Sequence, residues 1–153
     1  MKTYQLYREQ VLPITIQEAW DFFSTAKNLA KITPDELGFD IITKLDDSPI
    51  YNGMLIEYRV RPVLGIPLKW VTKILDVEAP FKFADTQLTG PYKLWEHTHT
   101  FKEVPEGILM TDLVKYALPF GILGNIAHSV FVQSKLNYIF DYRKGILEAH
   151  FGK

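Results

Sequence analysis

The chain has 153 residues, no cysteine and a formal net charge of −1 at pH 7, with 23% charged and 14% aromatic residues. That length suits one domain over 1–153 with a sizeable core, and the lack of cysteine excludes a disulfide framework and thiolate catalysis. Balanced charge gives no electrostatic footprint for nucleic acid, and no apolar run reaches membrane-spanning length. With an N-terminus that lacks an apolar signal core, the expectation is a cytoplasmic protein with no integral membrane association.

In chain order, residues 4–11 alternate like a strand. Thr15-Ile16-Gln17-Glu18 has the form of a capping box that opens a helix carrying Ala19, Trp20, Phe22 and Phe23. A second short helix is predicted over 26–32 and ends at Thr33-Pro34, because the residue before proline is pushed out of the helical region. Strands are then predicted over 39–44, 53–61, 68–77, 83–89, 94–104 and 108–117, separated by Pro, Gly and Asp punctuation. After the glycine-rich passage 119–124, one long helix is expected from about 126 to 150, with Val132, Leu136, Ile139, Phe140, Leu147 and Phe151 as its apolar stripe.

The segment 94–104 is the most informative. Period two puts Trp95, His97, His99 and Phe101 on one face and Glu96, Thr98, Thr100 and Lys102 on the other, so the ring-bearing face points inward. Alternation on neighbouring strands adds Ile56, Tyr58 and Val60, then Trp70, Thr72 and Ile74, then Phe83, Asp85 and Gln87, then Met110, Asp112, Val114 and Tyr116. This inward set is mostly apolar, yet Asp85, Gln87, His97, His99 and Asp112 form a polar belt across three strands. A buried carboxylate is expensive unless paired, so Asp85 or Asp112 is expected to meet a histidine. Such a group could satisfy buried charge, orient a ligand, or serve as an acid–base site with His97, His99 and Asp85 as catalytic candidates. His-x-His on a strand also has metal-ligand form, but its third ligand is not identified by spacing. Arg143 interrupts the terminal helix's stripe; its guanidinium either snorkels to the rim or aims at a ligand, Asp85 or Asp112. His128 packs or caps, and the apolar loops 62–67 and 119–124 are either cavity gates or plugs.

Thr33-Pro34 with Leu37-Gly38-Phe39, Gly65-Ile66-Pro67-Leu68-Lys69-Trp70, Gly90-Pro91-Tyr92 through His97 and His99, and Leu118-Pro119-Phe120-Gly121 with Ala127-His128 span essentially the whole chain. Together with the element order, they resemble the START-like (SRPBCC) helix-grip superfamily, and within it the bacterial polyketide-cyclase/dehydrase-like ligand-binding group. The resemblance implies an α+β fold: a curved seven-stranded antiparallel sheet wrapped around a long C-terminal helix, two short helices after the first strand, an internal cavity, and neither cofactor nor metal. Similar domains also occur fused to a nucleotide-sugar-epimerase-like domain, but the absence of a dinucleotide-binding glycine motif here argues against a direct NAD role. The expected function is binding of a hydrophobic or amphipathic small molecule in the cavity between sheet and C-terminal helix, for which carriage and sensing are candidate uses, with Tyr58, Trp70, Thr72, Phe83, Asp85, Gln87, Trp95, His97, His99, Asp112, Tyr116 and Arg143 as binding residues. The alternatives are a cyclase, aromatase or dehydratase using the pocket His and Asp residues, and a module with a closed cavity whose apolar loops bind a protein partner.

Overall fold

Period-two burial along the strands and helical spacing near the C-terminus sort this chain into a sheet and the helix it grips. The computed structural model describes residues 2–61 and 66–152. Its elements run β1 (Tyr4–Leu12), α1 (Ile16–Phe23), α2 (Asn28–Lys31), a 3-10 turn (Asp35–Leu37), β2 (Asp40–Ile41), β3 (Leu55–Val60), β4 (Leu68–Glu78), β5 (Lys82–Thr89), β6 (Leu94–Val104), β7 (Gly107–Ala117), α3 (Gly121–Ala127), a π turn (His128–Val132) and α4 (Gln133–Phe151). The strands form one antiparallel sheet in the order β1-β7-β6-β5-β4-β3-β2, so the first strand closes against the last. No helix among the described residues is long and apolar enough to cross a membrane.

Local chemistry explains most boundaries. The capping box is present: Glu18 N–H donates to Thr15 Oγ1 at 3.1 Å, and Thr15 N–H donates to Glu18 Oε1 at 3.2 Å. The strand expected over 39–44 shortens to Asp40–Ile41, because the N–H groups of Ile42 and Thr43 both turn to the same carbonyl, Glu57 O. The C-terminal helix begins at Gly121, earlier than glycine content suggested. A left-handed Phe120 (φ 70°) turns the chain there, and an ideal Cβ on Gly124 would fall 2.1 Å from Pro119 O, so this first turn needs a glycine. A π turn then joins α3 to α4 without breaking the helix. The expected loop gate over 62–67 falls largely outside the described residues.

The core consists of two apolar clusters with a polar layer between them. One cluster contains Leu12, Trp20, Phe23, Phe101, Ile108, Met110 and Leu147. The other contains Leu6, Trp95, Val114, Tyr116, Leu136 and Phe140. Along β6, His97 and His99 lie between Trp95 and Phe101; along β7, Asp112 lies between Met110 and Val114; along α4, Arg143 lies between Phe140 and Leu147. These four charged or titratable residues are all buried. Fully burying an aliphatic side chain such as Leu147 contributes about 1.5–3 kcal/mol, whereas an unpaired charge at this depth would cost more than one such residue supplies. The layer therefore persists only through its mutual pairing.

Candidate functional site: a polar layer at the wall of an apolar cavity

Sheet register brings the layer together. Asp85 on β5 stands opposite His97, and Asp112 on β7 stands opposite His99. The hydrogen bonds run along the diagonals instead, within the reach of same-face side chains on adjacent strands. His97 Nε2–H donates to Asp112 Oδ1 at 2.7 Å, and His99 Nε2–H donates to Asp85 Oδ2 at 2.8 Å. His99 Nδ1 lies 3.4 Å from Asp112 Oδ1 but is buried without a hydrogen-bond partner among the described residues. Arg143 Nη2 approaches the same Asp112 oxygen to 3.4 Å, and its guanidinium lies over the rings of Phe23 and Phe140. Its Nε has no partner among the described residues. The snorkelling expected as one reading of Arg143 does not occur, because a buried carboxylate directly across from α4 holds the head inside.

The charges follow from these contacts. Burial opposes ionisation of Asp112, but Arg143 and the two imidazoles outweigh it and hold the carboxyl well below the usual range. For Asp85, burial is likewise outweighed, by the His99 hydrogen bond and by the charges of His97, His99 and Arg143. Burial works against charge on His99 too, yet its two carboxylate neighbours raise its pKa above the ordinary 6.5. Burial and the adjacent His99 lower that of His97, despite Asp112 and Asp85. Of the two rings His99 therefore holds a proton more readily than His97, between two carboxylates and a guanidinium.

A cavity of about 450 Å³ lies between the concave face of the sheet and the helices. Of the residues expected at the site, Tyr58, Trp70, Thr72, Phe83, Asp85, Trp95, His97, His99 and Arg143 line it. The structure places three others elsewhere. The Gln87 side chain clasps the β5–β6 turn, donating from Nε2 to Tyr92 O at 2.7 Å and accepting from Tyr92 N–H at 3.1 Å. Asp112 stands behind the histidines. Tyr116 shares a hydrogen bond of 2.8 Å with His128 Nε2, and the His128 ring stacks on Tyr4. Alternation assigned their faces, but the nearest partner on each face was not a cavity wall.

Apart from Arg143, the helical part of the lining was not among the expected site residues. Phe22 and Phe23 of α1, Leu29 of α2, Leu136 and Phe140 of α4, and Tyr92 in the β5–β6 turn all border the space. The apolar stripe identified Leu136 and Phe140 as inward, and the adjacent aromatic pair Phe22-Phe23 was the available signal for a second wall. Pro119, Phe120 and Gly124 also border the cavity, and Phe120, Ile122 and Leu123 are 81%, 78% and 72% exposed.

No model of a protein family matches this sequence, and no curated protein matches it. Solved structures do. The chain is similar to protein CV1439 of Chromobacterium violaceum, at 15% identity over 100% of this chain and 99% of that one, with a TM-score of 0.70. It is also similar to TTHA0849 of Thermus thermophilus, at 14% identity over 96% and 99%, with a TM-score of 0.68. A nucleoside-diphosphate sugar epimerase of Corynebacterium glutamicum matches at 24% identity and a TM-score of 0.65, over 93% of this chain but 28% of the epimerase. Likeness at such identities establishes the architecture and nothing about activity: the chain has the α+β helix-grip fold.

Proposed function

We propose that this protein binds a hydrophobic or amphipathic small molecule in the cavity between sheet and helices, as a START-like (SRPBCC) carrier or sensor. The observation that carries the reading is the composition of the wall. Trp70, Trp95, Phe83, Leu29, Ile32 and Phe140 offer apolar surface, and Asp85, His97, His99 and Arg143 form one polar patch within it. A space of about 450 Å³ falls within the usual size of small-molecule sites. Apolar surface supplies affinity there, and the few polar groups orient the guest. A molecule with a hydrocarbon or ring body and one polar end matches both parts. Native mass spectrometry of freshly purified protein, followed by solvent extraction, tests this directly; bound small molecules, or quenching of tryptophan fluorescence by apolar probes, are expected. Protein that carries nothing and leaves every such probe unbound would remove the reading.

The His97–Asp112 pair favours a second reading, acid–base catalysis on a bound carbonyl compound. With Nε2–H donated to Asp112, the neutral His97 ring keeps a basic Nδ1 at the cavity wall, the arrangement of an oriented general base. Turnover abolished by His97→Gln, with ligand affinity retained, would distinguish it from carriage.

A further inference from the structure

We infer that the face formed by Asp85, His97 and His99 is a binding site for a divalent first-row transition-metal ion, with Asp112 holding the two rings from behind. The three donor atoms lie within 4.8 Å of one another at the cavity wall. His97 Nδ1 and His99 Nε2 both look toward one atom, Asp85 Oδ2, at 3.9 and 2.8 Å. Their opposite nitrogens, His97 Nε2 and His99 Nδ1, both look toward a second carboxylate oxygen, Asp112 Oδ1, at 2.7 and 3.4 Å. Each ring thus has one nitrogen facing the candidate metal position and the other facing a carboxylate. That is how proteins orient metal-bound histidines and raise their basicity.

The gap between His97 and Asp85 points to a cation. The 2.7 Å bond to Asp112 occupies His97 Nε2 and leaves Nδ1 turned toward Asp85 Oδ2. His97 Nδ1 and Asp85 Oδ2 face each other across 3.9 Å, too far apart for a hydrogen bond. Metal–nitrogen and metal–oxygen bonds of about 2.0–2.2 Å would bridge that gap. The ion would displace the His99 Nε2 proton to solvent and take over its contact with Asp85. The rings now stack with centroids 3.7 Å apart, so seating the ion requires them to turn toward each other, a soft motion for imidazoles. Two nitrogens and one oxygen suit zinc, cobalt or iron better than calcium or magnesium, and leave coordination positions open toward the cavity. Arg143, 3.4 Å from Asp112, balances the rear carboxylate.

This inference does not depend on the cavity holding an apolar guest, and its test is separate. Chelator-treated protein is titrated with Co2+, followed by its d–d absorption and then by competition with Zn2+. The expected result is saturation at one ion per chain, with the zinc form shifting the 15N resonances of His97 Nδ1 and His99 Nε2. Asp85→Asn and His97→Gln, checked for folding by circular dichroism, should abolish the cobalt band, and Asp112→Asn should weaken affinity about 10–100-fold. His150→Gln, on the exposed end of α4, should change nothing. Failure of the unaltered protein to take up one cobalt ion overturns the inference, as does a cobalt band that survives in folded His97→Gln.

Discussion

His97 and His99, two residues apart on one strand, lie ring on ring with 24° between their planes, and each is bracketed by the same two carboxylates, Asp85 and Asp112. Two imidazoles at that distance cannot both be charged without strong repulsion, so the pair divides its labour. His99, bonded to Asp85, favours the proton, and His97, tied to Asp112, disfavours it. At the cavity wall the hydrogen-bonded His99 and Asp85 thus stand beside a His97 ring that gives up its proton more readily.

That asymmetry predicts how binding responds to substitution. His97→Gln and His99→Gln should each weaken a polar-headed ligand by about 10–100-fold, the equivalent of losing one hydrogen bond to a charged group. Purely apolar probes should bind nearly as before. Displacement of a fluorescent probe measures both; equal losses for polar and apolar ligands would mean that the histidines act only by holding the cavity's shape.

Arg143 supplies a stability prediction. Its partner Asp112 is 2% exposed, so Arg143→Met leaves a buried carboxylate with only its imidazole neighbours and should destabilise the fold by up to about 3–5 kcal/mol. Pairing that change with Asp112→Asn removes the carboxylate that Arg143 balances, and the double variant should lose less than the sum of the single losses. Additive losses in urea unfolding would show the two groups to be uncoupled.

The terminal helix offers a graded comparison. Leu147 is fully buried in the cluster around Trp20 and Phe101, whereas Leu136 borders the cavity. Leu147→Ala should cost about 2–5 kcal/mol, and Leu136→Ala less, because the second site already faces open space. Chemical denaturation of the two variants gives the order directly, and a larger loss for Leu136 would contradict this placement.

His128 sets a pH prediction. Burial, and secondarily Lys2, push its pKa below the ordinary 6.5. The unfolded chain therefore binds a proton more readily than the folded one at this site. Its contribution to stability is whole above about 6.5 and is lost as pH falls from there toward the folded value. Tyr116 on β7, whose hydroxyl pKa is pushed by burial above its ordinary value, and Tyr4 on β1 are the side chains packed on the ring. His128→Gln should flatten this part of the acid limb in thermal melts taken between pH 7 and pH 5. An unchanged slope would place His128 outside the linkage.

Short-range chemistry was legible in the sequence. The Thr15/Glu18 capping box, the period-two face of Trp95, His97, His99 and Phe101, and the inward stripe of Leu136, Phe140 and Leu147 each depend on neighbours within a few residues, where spacing alone assigns a side chain to a face. What each face meets depends on register and packing between distant segments. Period two put Asp85, Asp112 and Gln87 inward alike, but only the tertiary structure decided that Asp85 lines the cavity, Asp112 stands behind the imidazoles and Gln87 closes a turn. The direction of Arg143 was equally beyond local reading, since a long cationic side chain among apolar neighbours can reach water or a buried partner with the same helical spacing. The carboxylate that settles it lies on another element, 31 residues earlier in the chain, and only folding brings the two together.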